Sequence, residues 1–144
     1  MNKHSDIVKD ALKRLRIAES SESTLRLFLE KKGYGKKEIA EVIDYLKTKK
    51  FVDDYRYCTI LIEKYIRKKK GIGYIHNILS LHGIPENIIS TTLAKTYPEG
   101  LEYTLAENVL KSIKKKSPVQ SISRLKSRGF SEKTIEKLIE KYRE

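Results

Sequence analysis

The chain has 144 residues, of which 39% are hydrophobic and 35% are charged, and its formal net charge is +12. Each third of the chain is net positive, so the basic character belongs to the whole molecule and attracts polyanions or acidic protein surfaces. The single cysteine, Cys58, excludes an intrachain disulfide. The longest apolar run, 60–62, is far too short for a membrane span, and no apolar signal-peptide core stands at the N-terminus. We therefore expect a cytoplasmic protein with no membrane contact.

The apolar periodicity is helical almost throughout the chain. Three stripes with i, i+3, i+4, i+7 spacing begin at Val8, Cys58 and Ala106, and such a long recurrence indicates an internal repeat. The predicted helices, in chain order, are 5–17, 22–32, 36–48, 54–69, 73–82, 86–96, 100–115, 118–128 and 132–143.

A glycine follows the second helix of each predicted trio, at Gly33, Gly83 and Gly129. Each glycine is preceded by Lys, His or Arg and followed by a large residue, which is typical of a helix C-terminus. We therefore predict an all-α fold of three tandem three-helix repeats, 1–50, 51–98 and 99–144, stacked into an elongated, curved array. The alternative is one irregular helical domain, in which the similarity of the three stripes and the three glycines would be accidental.

The sequence lacks the motifs of a catalytic or metal site. There is no G-x-S-x-G and no phosphate loop, and the histidines lack metal-ligand spacing. The neighbouring Asp53 and Asp54 suit a helix N-cap better than an acid/base pair. Gly71-Ile72-Gly73 is similar to the turn of helix-hairpin-helix modules, but a helix end followed by a sharp turn explains it better. We predict no enzymatic activity and no cofactor.

Basic residues gather on one face of the predicted helix 54–69 and at its end. This face lies opposite the apolar stripe of that helix, so it is available to bind phosphates or carboxylates. A solvated helix face, with cations favoured near the C-terminus by the dipole, is the alternative. Some tyrosines could stack on bases, although core packing explains most of them. The candidate partner-binding or DNA-binding residues are Arg56, Lys64, Arg67, Lys68, Lys69, Lys70, Lys114, Lys115, Lys116, Arg124 and Arg128.

Five segments, in this order and spacing, resemble the RecX family. Lys32-Gly33-Tyr34 is similar to the family's Lys-Gly-Phe, and the segment 51–57 to its hydrophobic-x-Asp-Asp-x-Arg-Phe/Tyr motif. Lys70-Gly71 resembles the start of Lys-Gly-Pro, His82-Gly83-Ile84 resembles Lys-Gly-Ile/Val, and the segment 128–131 resembles the final Arg-Gly-Phe segment. The resemblance covers nearly the whole chain.

Two positions depart from the family pattern: Ile72 stands where proline is usual, and Cys58 where alanine is usual. The resemblance implies a regulator without chemistry of its own, acting as a monomer. Such a protein would bind the filament of the RecA recombinase on DNA, lie along its helical groove and inhibit its activities in recombination, DNA repair and the SOS response. Single- or double-stranded DNA is a further expected partner.

Two other functions fit the basic charge. A direct DNA-binding protein of helix-turn-helix type is the first, although no single unit carries a recognition helix rich in Arg, Asn and Gln. A helical-repeat adaptor for an unrelated acidic protein is the second. Binding to recombinase filaments, compared with naked DNA, distinguishes the three hypotheses.

Overall fold

The computed structural model describes residues 3–113 and 117–143, and these residues form nine α-helices and no strand. The predicted all-α fold is confirmed. The helices form a first trio (α1–α3), a second trio (α4–α6) and a third trio (α7–α9). Their bounds are α1 Lys3–Ile17, α2 Glu22–Lys31, α3 Lys36–Thr48, α4 Asp54–Arg67, α5 Ile72–Leu81, α6 Glu86–Thr96, α7 Leu101–Ser112, α8 Pro118–Ser127 and α9 Glu132–Lys141.

Four helices begin at the capping residues that the sequence offers. The side chains of Ser21, Asp53, Ser117 and Ser131 each accept a hydrogen bond from the backbone N–H three residues later. Ser117 and Gln120 form a reciprocal capping box, with Pro118 in the first helical position. These bonds satisfy N–H groups that have no partner within the helix. They explain why the predicted starts of these helices lie close to the observed ones.

The predicted glycines close α2, α5 and α8 in the same way. Gly33, Gly83 and Gly129 have φ values of 94°, 74° and 86°, in the left-handed region that favours glycine. After Gly33, the backbone N–H of Tyr34 donates back to the carbonyl oxygen of Leu29. The corresponding bonds join Ile84 to Leu79 and Phe130 to Leu125. The three glycines therefore occupy equivalent helix ends.

The buried apolar side chains form two clusters. The first cluster belongs to the first trio and to Val52, which follows it. The second cluster extends from Cys58 to Leu138 and joins the second and third trios in one core. None of the described helices combines the length and the apolar character that a membrane crossing requires.

Successive trios also meet through polar contacts at helix ends. The backbone N–H of Glu22, which begins α2, donates to Oδ1 of Asp54 at 2.8 Å. The backbone N–H of Ile72, which begins α5, donates to Oε2 of Glu102, also at 2.8 Å. A carboxylate from the first turn of the next trio therefore binds the N-terminus of the second helix in both cases, where the helix dipole favours a negative charge.

Candidate polyanion-binding surface

The C-terminal end of α4 brings several predicted binding residues together. Lys69 adopts a left-handed conformation with φ of 57°, and the backbone N–H of Lys70 donates to the carbonyl oxygen of Tyr65 at 3.0 Å. This turn folds the chain back onto the helix that it leaves. Lys64 lies in the last turn of α4, Lys68 is its C-cap, and Lys70 follows in the turn, so all three lysines lie at the same helix end. Lys64 and Lys68 are exposed, and Lys70 is half-buried.

The backbone holds the ends of α4 and α8 side by side. The N–H of Gly71 donates to the carbonyl oxygen of Arg128 at 2.9 Å, and the N–H of Gly73 donates to that of Gly129 at 3.0 Å. A Cβ atom on Gly71 would lie 2.4 Å from backbone atoms of Gly129 and Phe130. Only glycine permits this approach, which brings α8 and its cations against α4.

Arg128 joins the two helix ends directly. Its guanidinium donates to the carbonyl oxygens of Lys68 and Lys69, and the bond from Nε to Lys69 is 3.3 Å long. These carbonyls lie beyond the last turn of α4, where a cation also complements the helix dipole. Arg128 therefore stabilises the junction and places a positive charge beside the lysines.

The Lys70 ammonium lies in a positively charged environment at this junction. Burial lowers the pKa of the Lys70 ammonium below its ordinary value. The neighbouring positive charges of Arg128, Lys68 and Arg124 lower this pKa further. Within the described part of the chain, none of these four residues forms an ion pair with a carboxylate. Because like charges held together repel each other, such a cluster favours binding of an anion.

Two tyrosine rings lie within the same cluster. The ring centroids of Tyr65 and Tyr74 are 5.6 Å apart in an edge-to-face arrangement, and both residues are half-buried. The ammonium of Lys70 lies 4.4 Å from the centroid of Tyr74, while those of Lys64 and Lys68 lie 5.4 and 5.6 Å from that of Tyr65. The basic–aromatic surface thus consists of Lys64, Tyr65, Lys68, Lys70, Tyr74, Arg124 and Arg128.

The remaining candidate residues lie elsewhere or have other contacts. Arg56 is at the opposite end of α4, where its Nε donates to Glu19 Oε1 at 3.0 Å and its Nη1 donates to the carbonyl oxygen of Lys50 at 3.0 Å. Arg67 and Lys69 are exposed near the end of α4. The predicted sites Lys114, Lys115 and Lys116 lie outside the described residues.

The tyrosine pair was not predicted as part of a binding surface. Tyr65 follows the apolar periodicity of α4, which indicates a core residue, and Tyr74 belongs to another helix. The sequence pattern that could have indicated this surface is an aromatic residue at 65 with lysines at 64, 68 and 70. Such a pattern favours cation–π contacts, because cations and aromatic rings attract each other. No group of three or more metal-ligating side chains occurs among the residues that the structure describes.

No family model matches the chain. Three curated relatives are named regulatory protein RecX. The one from Chlorobium limicola is 32% identical over 136 residues, which cover 90% of this chain and 84% of the relative. The one from Clostridium tetani is 38% identical over 84 residues, 58% of this chain, and that from Clostridium acetobutylicum is 32% identical over 75 residues, 52% of this chain. The chain spans only 38% and 35% of these two relatives.

Solved structures have the same fold. The crystal structure of RecX from Lactobacillus salivarius superposes with a TM-score of 0.82 and 21% identity, covering 96% of this chain and 95% of that one. A second crystal structure, of a regulatory protein RecX, superposes with a TM-score of 0.79 and 19% identity, covering 92% of this chain and 71% of that one. With the Chlorobium relative matched over most of both sequences, the chain belongs to the RecX family.

Proposed function

We propose that this protein binds the filament of the RecA recombinase on DNA, along its helical groove, and inhibits the activity of that filament. It acts as a monomer in the cytoplasm and catalyses no reaction. Its three units, 1–50, 51–98 and 99–144, would each contact a successive part of the groove. The basic–aromatic surface carries the proposal, because its cations form no ion pair with a carboxylate in the described residues and a DNA-containing filament supplies phosphates.

The charge of this surface determines how the interaction responds to salt. Each lysine or arginine that neutralises a phosphate releases counterions, so the affinity falls as the salt concentration rises, with a slope that tracks the number of phosphates contacted. A carboxylate-rich protein groove would also attract the surface, but it has no condensed counterions to release. The salt slope therefore distinguishes DNA contacts from protein contacts.

Co-sedimentation with RecA filaments assembled on single-stranded DNA tests the proposal. The informative variant is Lys68→Glu with Arg124→Glu, since both side chains are exposed and neither donates a hydrogen bond within the described chain. We expect the affinity to fall by about tenfold or more, because each reversal replaces attraction with repulsion. Helix content and melting temperature should remain unchanged.

Lys36→Glu with Lys37→Glu is the matched control. It changes the net charge equally, and its exposed residues begin α3 in the first trio, far along the chain from the surface. Filament binding by this control should fall much less than that of the Lys68/Arg124 variant, because Lys36 and Lys37 lie outside the basic–aromatic surface. If both variants lose the same affinity for the filament, the loss reflects net charge and not this surface. If the Lys68/Arg124 variant loses no affinity, the proposal is contradicted.

Direct binding of single-stranded DNA is the second candidate, favoured by the paired rings of Tyr65 and Tyr74. Bases stack on exposed aromatic rings, and each such stack contributes about 1–3 kcal/mol. Naked single- and double-stranded DNA therefore accompany the filament in the same assay. Tighter binding to naked single strands than to filament, lost in Tyr74→Ala, would favour this second function.

A further inference from the structure

The third trio contains an open apolar groove between its helices. The groove has a volume of about 580 Å³, within the range of sites that bind ligands or side chains. Its walls come from α7, α8 and α9 and from residues just beyond the ends of α7 and α9. The apolar residues that line it include Leu110, Ile113, Pro118, Ile122, Leu138 and Ile139.

The second trio shows why this groove is open. Tyr97, just after α6, is 5% exposed, and its hydroxyl donates to the carbonyl oxygen of Lys70, so its ring fills the space between the ends of α6 and α4. Counted from the equivalent glycines, Arg143 takes the place of Tyr97 in the third trio. Arg143 is exposed and lines the groove instead of filling it.

The rim of the groove is positively charged. Lys111 and Arg143 line it. The nearby carboxylate of Glu107 pairs with Nζ of Lys111 at 4.0 Å and with Nζ of Lys141 at 2.5 Å, and it accepts from the hydroxyl of Tyr142 at 3.0 Å. With Arg143, three cations therefore outnumber this one carboxylate. An occupant should therefore be acidic around an apolar centre. A second copy of this chain, itself at +12, is electrostatically unsuited to this rim.

The walls of the groove also determine which backbone conformation a bound segment can adopt. Apart from Ile113, Tyr142 and Arg143, which follow helix ends, the described walls are helical, and most of their backbone groups are bonded internally. No strand edge occurs among the described residues. An occupant must then satisfy its own N–H and C=O groups, as an α-helix does. We propose that the groove binds an amphipathic helix of a partner protein, with apolar side chains spaced i, i+3, i+4, i+7 and flanked by carboxylates. This inference does not rest on the proposed filament binding.

A synthetic fluorescent peptide tests the proposal on the full chain. The peptide is a helix with leucines at i, i+3, i+4 and i+7 and glutamates on its remaining faces. One control peptide replaces the leucines by serines, and another replaces the glutamates by lysines. In fluorescence anisotropy at about 0.15 M salt, where distant surface charges are screened, we expect each control to bind at least about tenfold more weakly. Failure of the leucine–glutamate peptide to bind would overturn the proposal.

Two variants at Arg143 locate the binding. Arg143→Tyr supplies the ring that fills the corresponding space in the second trio, and it should abolish peptide binding. Arg143→Gln removes the same charge without filling the groove, and it should reduce the affinity by about threefold or less. The Arg143 side chain makes no hydrogen bond or ion pair within the described chain, so both variants should fold normally, as circular dichroism will check.

The other occupants give different results. If Arg143→Tyr binds the peptide as well as wild type does, the acidic peptide is bound elsewhere, for example on the basic–aromatic surface, and the proposal is wrong. Sedimentation velocity detects a second copy in the groove. A dimer of the wild-type chain that dissociates in Arg143→Tyr would assign the groove to self-association and would equally overturn the proposal.

Discussion

Oε2 of Glu102 accepts a hydrogen bond from the backbone N–H of Ile72 at 2.8 Å, linking the first turns of α7 and α5. The RecX-like pattern usually has proline at this position, and a proline has no N–H to donate. The other oxygen of Glu102 accepts from the hydroxyls of Ser131 and Thr134 at 2.5 and 2.6 Å. One carboxylate, 6% exposed, thus holds the N-termini of two helices against α7.

Glu102→Gln should destabilise the protein. The amide keeps one acceptor but presents N–H groups to donors, so we expect the free energy of unfolding to fall by about 1.5–3 kcal/mol. Urea denaturation measures this change. Glu99→Gln, at an exposed residue just before α7, is the control and should remain within about 0.5 kcal/mol of wild type. Similar values for both variants would show that the Glu102 contacts contribute little.

The same carboxylate predicts a dependence of stability on pH. Burial raises the pKa of Glu102, but the hydrogen bonds from Ser131, Thr134 and Ile72 outweigh burial and leave this pKa below its ordinary value of 4.5. Its contribution to stability is therefore complete above pH 4.5 and is lost as the pH falls through the lowered folded-state pKa. The stability difference between wild type and Glu102→Gln should be constant at neutral pH and shrink in acid. A difference that grows in acid would contradict this assignment.

Lys69→Gly should stabilise the protein. Lys69 has a φ of 57°, where a side chain costs about 1–2 kcal/mol, and glycine relieves this strain at some cost in unfolded-state entropy. We expect a net gain of about 1 kcal/mol, measured as a higher melting temperature. Lys68→Gly, at a residue with φ of −85°, is the matched control and should not stabilise. If both substitutions destabilise equally, the turn is not strained.

Gly71→Ala should separate α5 from α8. The added methyl group would lie 2.4 Å from backbone atoms of Gly129 and Phe130, which cannot rotate away. We expect lower thermal stability together with weaker filament binding, because the basic–aromatic surface spans this junction. Gly35→Ala is the control, since the added group there meets only the flexible carboxylate of Glu38. Normal binding by a folded Gly71→Ala variant would show that the surface does not need this close approach.

Local signals predicted the helices and their ends. Periodicity, N-cap residues and the three glycines act within a few residues, so the sequence reveals them directly. The predicted helix 54–69 extends two residues too far, because Lys68 and the left-handed Lys69 belong to the turn. Both residues are lysines, which fit a helix as well as a turn. The sequence therefore does not indicate that the helix ends before them.

Local sequence patterns do not predict contacts between residues that are far apart in the chain. Partner binding by Arg56 and Arg128 stays a prediction. Both guanidinium groups also donate to backbone carbonyls at the ends of other helices. Which carbonyl an arginine reaches depends on how distant helices pack. The partners of Glu102 and the open groove near Arg143 likewise depend on tertiary packing. Periodicity alone does not determine these contacts.

The two separate apolar clusters imply that the molecule does not open all at once. The first trio meets the second partly through polar bonds, such as Ser21 Oγ to the carbonyl oxygen of His82 at 2.6 Å, whereas the second and third trios share one core. Amide protons of α1–α3 should then exchange with solvent through an opening of lower free energy than those of α4–α9. On the proposed filament, a protein built this way could release its N-terminal trio while the second and third trios stay folded and bound.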